Sequence, residues 1–514
     1  MSASSLQAWI NRNLASRLPA GSLRERFVVG TFWAFAGTFI AQGLQLMALI
    51  VAARWLGKAA YGELGIVRST VGMFGIFVGL GLGLTATRYV SELRRDQPAR
   101  AGRIAALTLR VAWISGVTVA AGLVVVSRWL AVHTLAAPTI ALPLALGAGL
   151  VLFGEVNGVQ TGILSGLEAF DAIARVNLRA GLFAFPLVLG GTWLGGLKGT
   201  VEGLVAALAV NYLMNRAALH REMAKAGVQF VFEGAWKERP VLWQFSVPAF
   251  LSSAVVTPAT WICNAMLVNR ANGYAEMGIF SAADQWRNAL LFLPGIVARV
   301  LLPILSNHSQ ESAEKPSPFS NTLEAGFAAG IAVAFPLVTL FSFGGPLIAG
   351  AYGKDFAGMT LPLAGVLYAA GVVAIGTPVG TAVQAKGAMW QAVANNFLWA
   401  AALLASFHFL IPRGAAGLAT SYAASYFSIA VVFLWYWCKA GYYPWRLGLR
   451  TVIACVALVA FAFGPIYLTP RLRLQLSPVA LAVSLVVVWL LAPRRIVRAL
   501  MRQPETLPRP NALH

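Results

Sequence analysis

Charged side chains are scarce in this chain. They make up 11% of its 514 residues, and acids are the minority among them, 18 Asp and Glu against 39 Lys and Arg. Soluble domains carry about 25% charged residues, so a water-facing globular surface is excluded. Cysteine is nearly absent. Cys263, Cys438 and Cys455 form no CxxC pair and have no neighbouring His for a metal site, which leaves them as packing residues. The five histidines, His133, His220, His308, His408 and His514, are scattered without an acid or Cys at ligand spacing. There is no P-loop for ATP hydrolysis and no GxSxG string for a nucleophilic serine. Nor is there a polar segment long enough for a catalytic domain. The expectation is therefore a protein that is not an enzyme and holds no metal or cofactor. The net charge of +21 is spread through short loops and tails, which argues against nucleic acid as a partner.

What the chain has instead is apolar length. Hydrophobic residues reach 58% and mean hydropathy is +0.72. The apolar runs are about 18 to 27 residues long, each enough to cross about 30 Å of hydrocarbon as a helix. Alternating ten-residue strands are missing, so a barrel is excluded. Fourteen spans are expected, from 28–53 to 475–493. Threaded from a cytoplasmic N-terminus, about 25 Lys and Arg fall on the cytoplasmic side and about 9 outside, which orients the chain with both termini cytoplasmic. No cleavable signal precedes the first span. Leu6, Trp9, Ile10, Leu14 and Leu18 recur at helical spacing, which suits an interfacial helix and an ordinary tail equally.

A repeat orders the spans. "RWLGKAAYGELGI" at 54–66 returns as "RANGYAEMGIF" at 270–280, aligning Arg54 with Arg270, Gly57 with Gly273 and Gly62 with Gly278. "KGTVEGLVAALAVNY" at 198–212 faces "RGAAGLATSYAASY" at 413–426, and "SGLEAFDAIARVN" at 165–177 faces "KGAMWQAVANN" at 386–396. The expected fold is an all-α polytopic membrane protein of two six-helix lobes, 28–219 and 241–438, related by a pseudo-twofold along the membrane normal. They are joined by a cytoplasmic loop at 220–240 and followed by two extra helices within 450–493. Cytoplasmic tails at 1–27 and 494–514 complete the chain, the latter expected to be disordered. The 54–66 element is expected to be a periplasmic turn that bends at Gly57 and Gly62.

"RWLGKAAYGELGI", "GLGLTATRYVSE", "TGILSGLEAFDAIARVN", "FSVPAFL" and "GIFSAADQWRNALLFLPGI" together resemble the polysaccharide flippases of the multidrug/oligosaccharidyl-lipid/polysaccharide exporter superfamily, which include O-antigen and exopolysaccharide-unit transporters. The resemblance covers residues 24–439. It implies a multi-pass protein of the bacterial inner membrane that moves a polyprenyl-pyrophosphate oligosaccharide from the cytoplasmic to the periplasmic leaflet. It also implies membrane lipids, a polymerase and other polysaccharide-assembly proteins as partners.

Ionisable groups within spans are costly, about 3 kcal/mol each at a helix centre, and normally face a cavity or a partner. Arg287 lies about 13 Å along its helix from Gly278 and is too deep to snorkel. Asp284 precedes it by three residues on the same face. The repeat sets Arg68 against Asp284, which suits pairing across a transport cavity or a static ion pair that closes the periplasmic end. Arg299 sits more than a turn inside its span. For a pyrophosphate head, guanidinium is the apt group because it binds two oxygens in parallel. Arg68, Asp284, Arg287 and Arg299 are therefore the expected substrate-binding residues. Glu155 forms a polar group with Asn157 and Gln160 in the fourth span and is the candidate for binding a coupling proton or sodium ion, although a plain interhelical contact suits it as well. Arg88 and Arg110 read as anchors at the membrane surface, and Glu168 and Asp171 as a solvated network with Arg175 and Arg179.

Three alternatives stand beside the oligosaccharide flippase: a cation-coupled drug antiporter of the same superfamily, a lipid II flippase, and a membrane polysaccharide polymerase or ligase. The first span holds no acid, and intramembrane arginines repel cationic drugs. Both features weigh against the antiporter.

Overall fold

The computed structural model describes residues 23–79, 81–242, 254–308 and 317–493. The amphipathic pattern of the N-terminal tail lies outside them, as do the tail at 494–514 and residues 243–253 of the seventh expected span. Among the described residues there is no β-strand.

The first helix, α1 (Leu23–Gly79), is 57 residues long. Straight, it would extend about 85 Å, nearly three times the hydrocarbon thickness. It breaks instead at Gly57, with φ 74° and ψ 169°, a conformation that an L side chain rarely adopts. There follow α2 (Leu82–Leu93), α3 (Pro98–Trp129), a short α4 (Ala141–Leu146), α5 (Ala148–Gly166) and the 56-residue α6 (Phe170–Lys225), itself broken at Gly195 and Gly196. Then come α7 (Val256–Val268), α8 (Gly273–Asn307), α9 (Pro318–Phe343), α10 (Gly345–Tyr352), α11 (Thr360–Ala385), α12 (Met389–Leu410), α13 (Gly414–Lys439), α14 (Trp445–Phe463) and α15 (Pro470–Leu491).

Ten helices among the described residues are long and apolar enough to cross a membrane. This is four fewer than the fourteen expected spans. Three of the ten run 42, 56 and 50 residues through a break, and α7 has only 13 described residues.

The turn expected to bend at both Gly57 and Gly62 bends at Gly57 alone. Gly62 is helical, and its lack of a side chain serves close packing. A Cβ there would collide with the Tyr274 carbonyl oxygen and stand 2.8 Å from the Gly278 nitrogen. Reciprocally, a Cβ on Gly278 would collide with the Lys58 carbonyl oxygen and stand 3.2 Å from the Gly62 nitrogen. Lys58 and Tyr274 carry the same sequence offset as Gly62 and Gly278, so the two repeat copies meet across a local twofold. In the second copy the left-handed residue is Asn272, at φ 56°. Gly273 is instead pressed against the carbonyls of Leu267 and Val268.

The chain separates into two compact units, Met1–Gly278 and Ile279–His514. In the first, α6 packs along α1, and α5 lies against α2, α3 and α6. In the second, the deeply buried α11 packs on α9, α13 and α14. The extra helices join this unit. Tyr368 of α11 donates to the Cys455 carbonyl of α14 at 3.1 Å, α15 packs on α9, and Arg473 donates to the carbonyls of Ile466 and Leu468 at 2.9 and 3.0 Å, holding the turn between α14 and α15. No disulfide joins the three cysteines among the described residues, and all three are buried, consistent with packing.

Candidate functional site

Asp284, Arg287 and Asn288 share one face of α8 because they stand three and four residues apart. Arg287 Nε donates to Asp284 Oδ1 at 2.5 Å, and Asn288 Nδ2 donates to Asp284 Oδ2 at 3.2 Å. The pair is largely sheltered, with side-chain exposures of 16% for Arg287 and 23% for Asp284. The Arg287 guanidinium carbon lies 5.5 Å from the centre of the Tyr422 ring on α13, close enough for the ring quadrupole to stabilise the cation. Tyr422 in turn meets Phe280 at 5.7 Å and Trp399 of α12 at 6.0 Å, and Trp399 meets Tyr426 at 5.1 Å. A permanent cation is thus framed by aromatic rings inside the second unit.

Three buried polar atoms on α12 have no partner among the described residues: Gln391 Oε1, Asn395 Oδ1 and Trp399 Nε1. They recur every four residues and so form a stripe on one helix face. Buried polar atoms are normally hydrogen-bonded, so a run of them without a protein partner is where a water or a polar guest would be accommodated. Sequence reasoning overlooked this stripe, although its i, i+4, i+8 spacing in an apolar helix is a readable signal. Tyr426 stands out in the sequence only as a landmark of the repeat.

Arg299 does not join this cluster. It lies twelve residues beyond Arg287, about 18 Å along α8 and about a third of a turn round it, and is exposed. Arg68 is exposed on the second segment of α1, in the first unit. Both oxygens of Asp284 are already engaged by its own helix.

The polar group of α5 is split in space. Glu155 abuts α1, its Oε1 standing 3.4 Å from where a Cβ on Gly75 would be. Asn157 donates to the Leu208 carbonyl of α6 at 3.0 Å. Gln160 turns to a separate cavity. The helical pitch explains the difference, since residues two and five apart point to different sides. Glu155 therefore stands apart from the other two, and no group of three His, Cys, Asp or Glu among the described residues could hold a metal ion. Glu168 likewise departs from expectation. Its partner is Arg94, in the turn between α2 and α3, at 2.7 Å, not Arg175 or Arg179, and Glu168 itself is left-handed, with φ 58°.

The first unit holds a half-open cavity of about 230 Å³ between α1 and α6. Its polar lining is neutral: Thr38, Gln42, Gln45, Asn177 and Asn211, with Asn177 Nδ2 donating to Thr38 Oγ1 at 3.2 Å. Amides and hydroxyls without charge suit sugar hydroxyls, which both donate and accept. These residues were also overlooked, since amides in a span carry no charge to draw attention.

Comparison with known proteins adds likenesses of three kinds. The family described as polysaccharide biosynthesis protein matches residues 27–309. The EPS I polysaccharide export inner membrane protein EpsE of Ralstonia nicotianae is 24% identical over 394 residues, covering 74% of this chain and 85% of the relative. Its counterpart in Ralstonia solanacearum is 22% identical, with 75% and 85% covered. Among solved structures, lipid II flippase MurJ in an inward closed conformation aligns with a TM-score of 0.65 at 14% identity, covering 93% of this chain and 99% of that one. An inward-facing multidrug resistance MATE family transporter of the MOP superfamily aligns with a TM-score of 0.65 at 15% identity, covering 81% and 96%. At such identities the structural likenesses establish the fold.

Proposed function

The chain belongs to the polysaccharide biosynthesis protein family, and from that premise we propose that it is a flippase that carries a polyprenyl-pyrophosphate oligosaccharide from the cytoplasmic to the periplasmic leaflet of a bacterial inner membrane, with both termini cytoplasmic. The observation that carries the proposal is the sheltered Arg287, paired with Asp284 and framed by Tyr422, whose ring meets Trp399 of the polar stripe on α12. With Nε held by Asp284, the terminal nitrogens of Arg287 offer two phosphate oxygens a pair of parallel hydrogen bonds. Trp399 and the tyrosines offer flat apolar faces to sugar rings, and the α12 amides offer partners to their hydroxyls. The neutral cavity of the first unit supplies a second sugar-compatible surface.

Transport follows from exposing these surfaces alternately to the two sides of the membrane. Arg68 and Arg299 supply further cations along the path of the head group. Glu155 is the group through which a proton or sodium gradient would drive the cycle. The products pass to a polymerase and other assembly proteins.

The test is reconstitution of the full chain in liposomes with a fluorescent undecaprenyl-pyrophosphate oligosaccharide, following leaflet transfer with and without ion gradients. Transfer that disappears in Arg287→Ala supports the assignment. Uptake of cationic dyes without lipid transfer would move the protein to the drug antiporters. Preferential transfer of lipid II would make it a lipid II flippase, and elongation of the sugar chain would make it a polymerase.

A further inference from the structure

A second cavity, of about 420 Å³, opens in the first unit between α3, α5, α6 and the loop that follows α6. It lies apart from the residues assigned to transport. Arg110, Arg216 and His220 line it, and no Asp or Glu does. His220 Nδ1 lies 2.8 Å from the Arg216 carbonyl oxygen. A carbonyl only accepts, so this nitrogen carries the proton. The floor is Gln160, 1% exposed, whose Oε1 has no partner among the described residues. Trp113 and Tyr212 form one apolar wall, edge to face at 5.6 Å. Phe232, from the loop, closes the other, its ring 5.4 Å from the Arg110 guanidinium.

Unopposed cations together with a buried, unpaired amide oxygen ask for a ligand that is anionic at one point and donates a hydroxyl at another. A cavity of this volume suits a small ligand or a head group. Depth selects the source. Arg110 stands six residues, about 9 Å, inside its expected span, and Arg216 about 4 Å inside the end of its own. That places the site at the boundary of head groups and acyl chains, where basic pockets between helices hold anionic lipids.

We propose that this cavity binds the head group of an anionic, hydroxyl-bearing phospholipid such as phosphatidylglycerol, with phosphate on Arg110 and Arg216, a glycerol hydroxyl on Gln160, and acyl chains leaving along Trp113. The site is independent of the transported cargo, and its failure would leave the transport proposal untouched.

Native mass spectrometry of the delipidated full-length protein, titrated with phosphatidylglycerol, phosphatidylcholine or inorganic phosphate, tests it. Phosphatidylglycerol is expected to bind at least about tenfold more tightly than phosphatidylcholine and to resist displacement by excess inorganic phosphate. The double variant Arg110→Ala, Arg216→Ala loses that preference, whereas Arg128→Ala, at the opposite end of α3, keeps it. Gln160→Leu, compared by melting temperature to establish folding, retains binding but discriminates less between phosphatidylglycerol and phosphatidic acid, which lacks the second glycerol. Equal binding of the two main lipids, or an unchanged preference in the double variant, overturns the proposal. Displacement by inorganic phosphate overturns the lipid assignment in favour of a soluble phosphate compound.

Discussion

Gly62 and Gly278, equivalent positions of the sequence repeat, cross backbone to backbone, each leaving no room for a side chain. Each glycine faces the carbonyl of the residue four before its counterpart, so one approach is the twofold image of the other. A repeat usually leaves its mark in parallel lobes. Here the two copies also touch.

Gly62→Val should destabilise the protein by about 1–3 kcal/mol, the usual cost of forcing atoms into a filled contact. Gly72 provides the contrast, since a Cβ added there would meet nothing within 4 Å. Gly72→Ala should leave the melting temperature in detergent unchanged or slightly raised. Equal losses at the two positions would mean that helix propensity, not the crossing, sets the effect.

Arg287→Ala should abolish export of surface polysaccharide in a complementation assay normalised to protein level. Arg287→Lys should be intermediate, because ammonium keeps the charge but loses the two parallel hydrogen bonds. Asp284→Ala leaves the guanidinium without its carboxylate. Where an ion pair is buried, removing one member costs about 3–5 kcal/mol, so reduced protein yield should accompany lost export. Normal export by Arg287→Ala at a normal protein level would remove this residue from the cargo path.

Trp399→Phe should separate stability from transport. The substitution keeps an aromatic face and deletes a buried N–H that has no partner among the described residues, so the melting temperature should hold or rise. Lipid transfer should fall if that N–H meets the cargo. Transfer at the parent rate would show the indole to be a packing group.

Glu155→Gln should remove the dependence of transfer on an imposed proton or sodium gradient while leaving downhill exchange. An unchanged response would return Glu155 to interhelical packing.

Glu238 holds Arg100 at 3.1 Å and Arg103 at 3.4 Å, tying the loop after α6 to the start of α3. Glu238→Ala should cost about 1 kcal/mol, since both arginines remain partly solvated. The loss should shrink at high salt, as read from melting temperatures.

Much of the architecture was legible in one dimension. Low charge and long apolar runs identify a polytopic helical protein because hydrocarbon tolerates no unsatisfied backbone. The repeat offset singles out Gly62 and Gly278, although Gly62 serves packing where the sequence suggests a bend. Asp284 and Arg287 were legible as a pair because three residues is a helical contact distance, a local fact.

The rest depended on which helix faces meet. Membrane helices are apolar nearly all round, so no amphipathic stripe reveals their inward side. Tyr422, and through it Trp399, reach Arg287's surroundings only through the packing of α8, α12 and α13. Glu155 adjoins Asn157 and Gln160 in sequence yet parts from them in space. The chain by itself determined its solvent, its repeat and its deep charges, because hydropathy, offset and helical pitch are properties of one strand of residues. The tertiary structure alone decided which charges gain aromatic neighbours and which polar atoms line a cavity, because those outcomes depend on contacts between helices far apart in the chain.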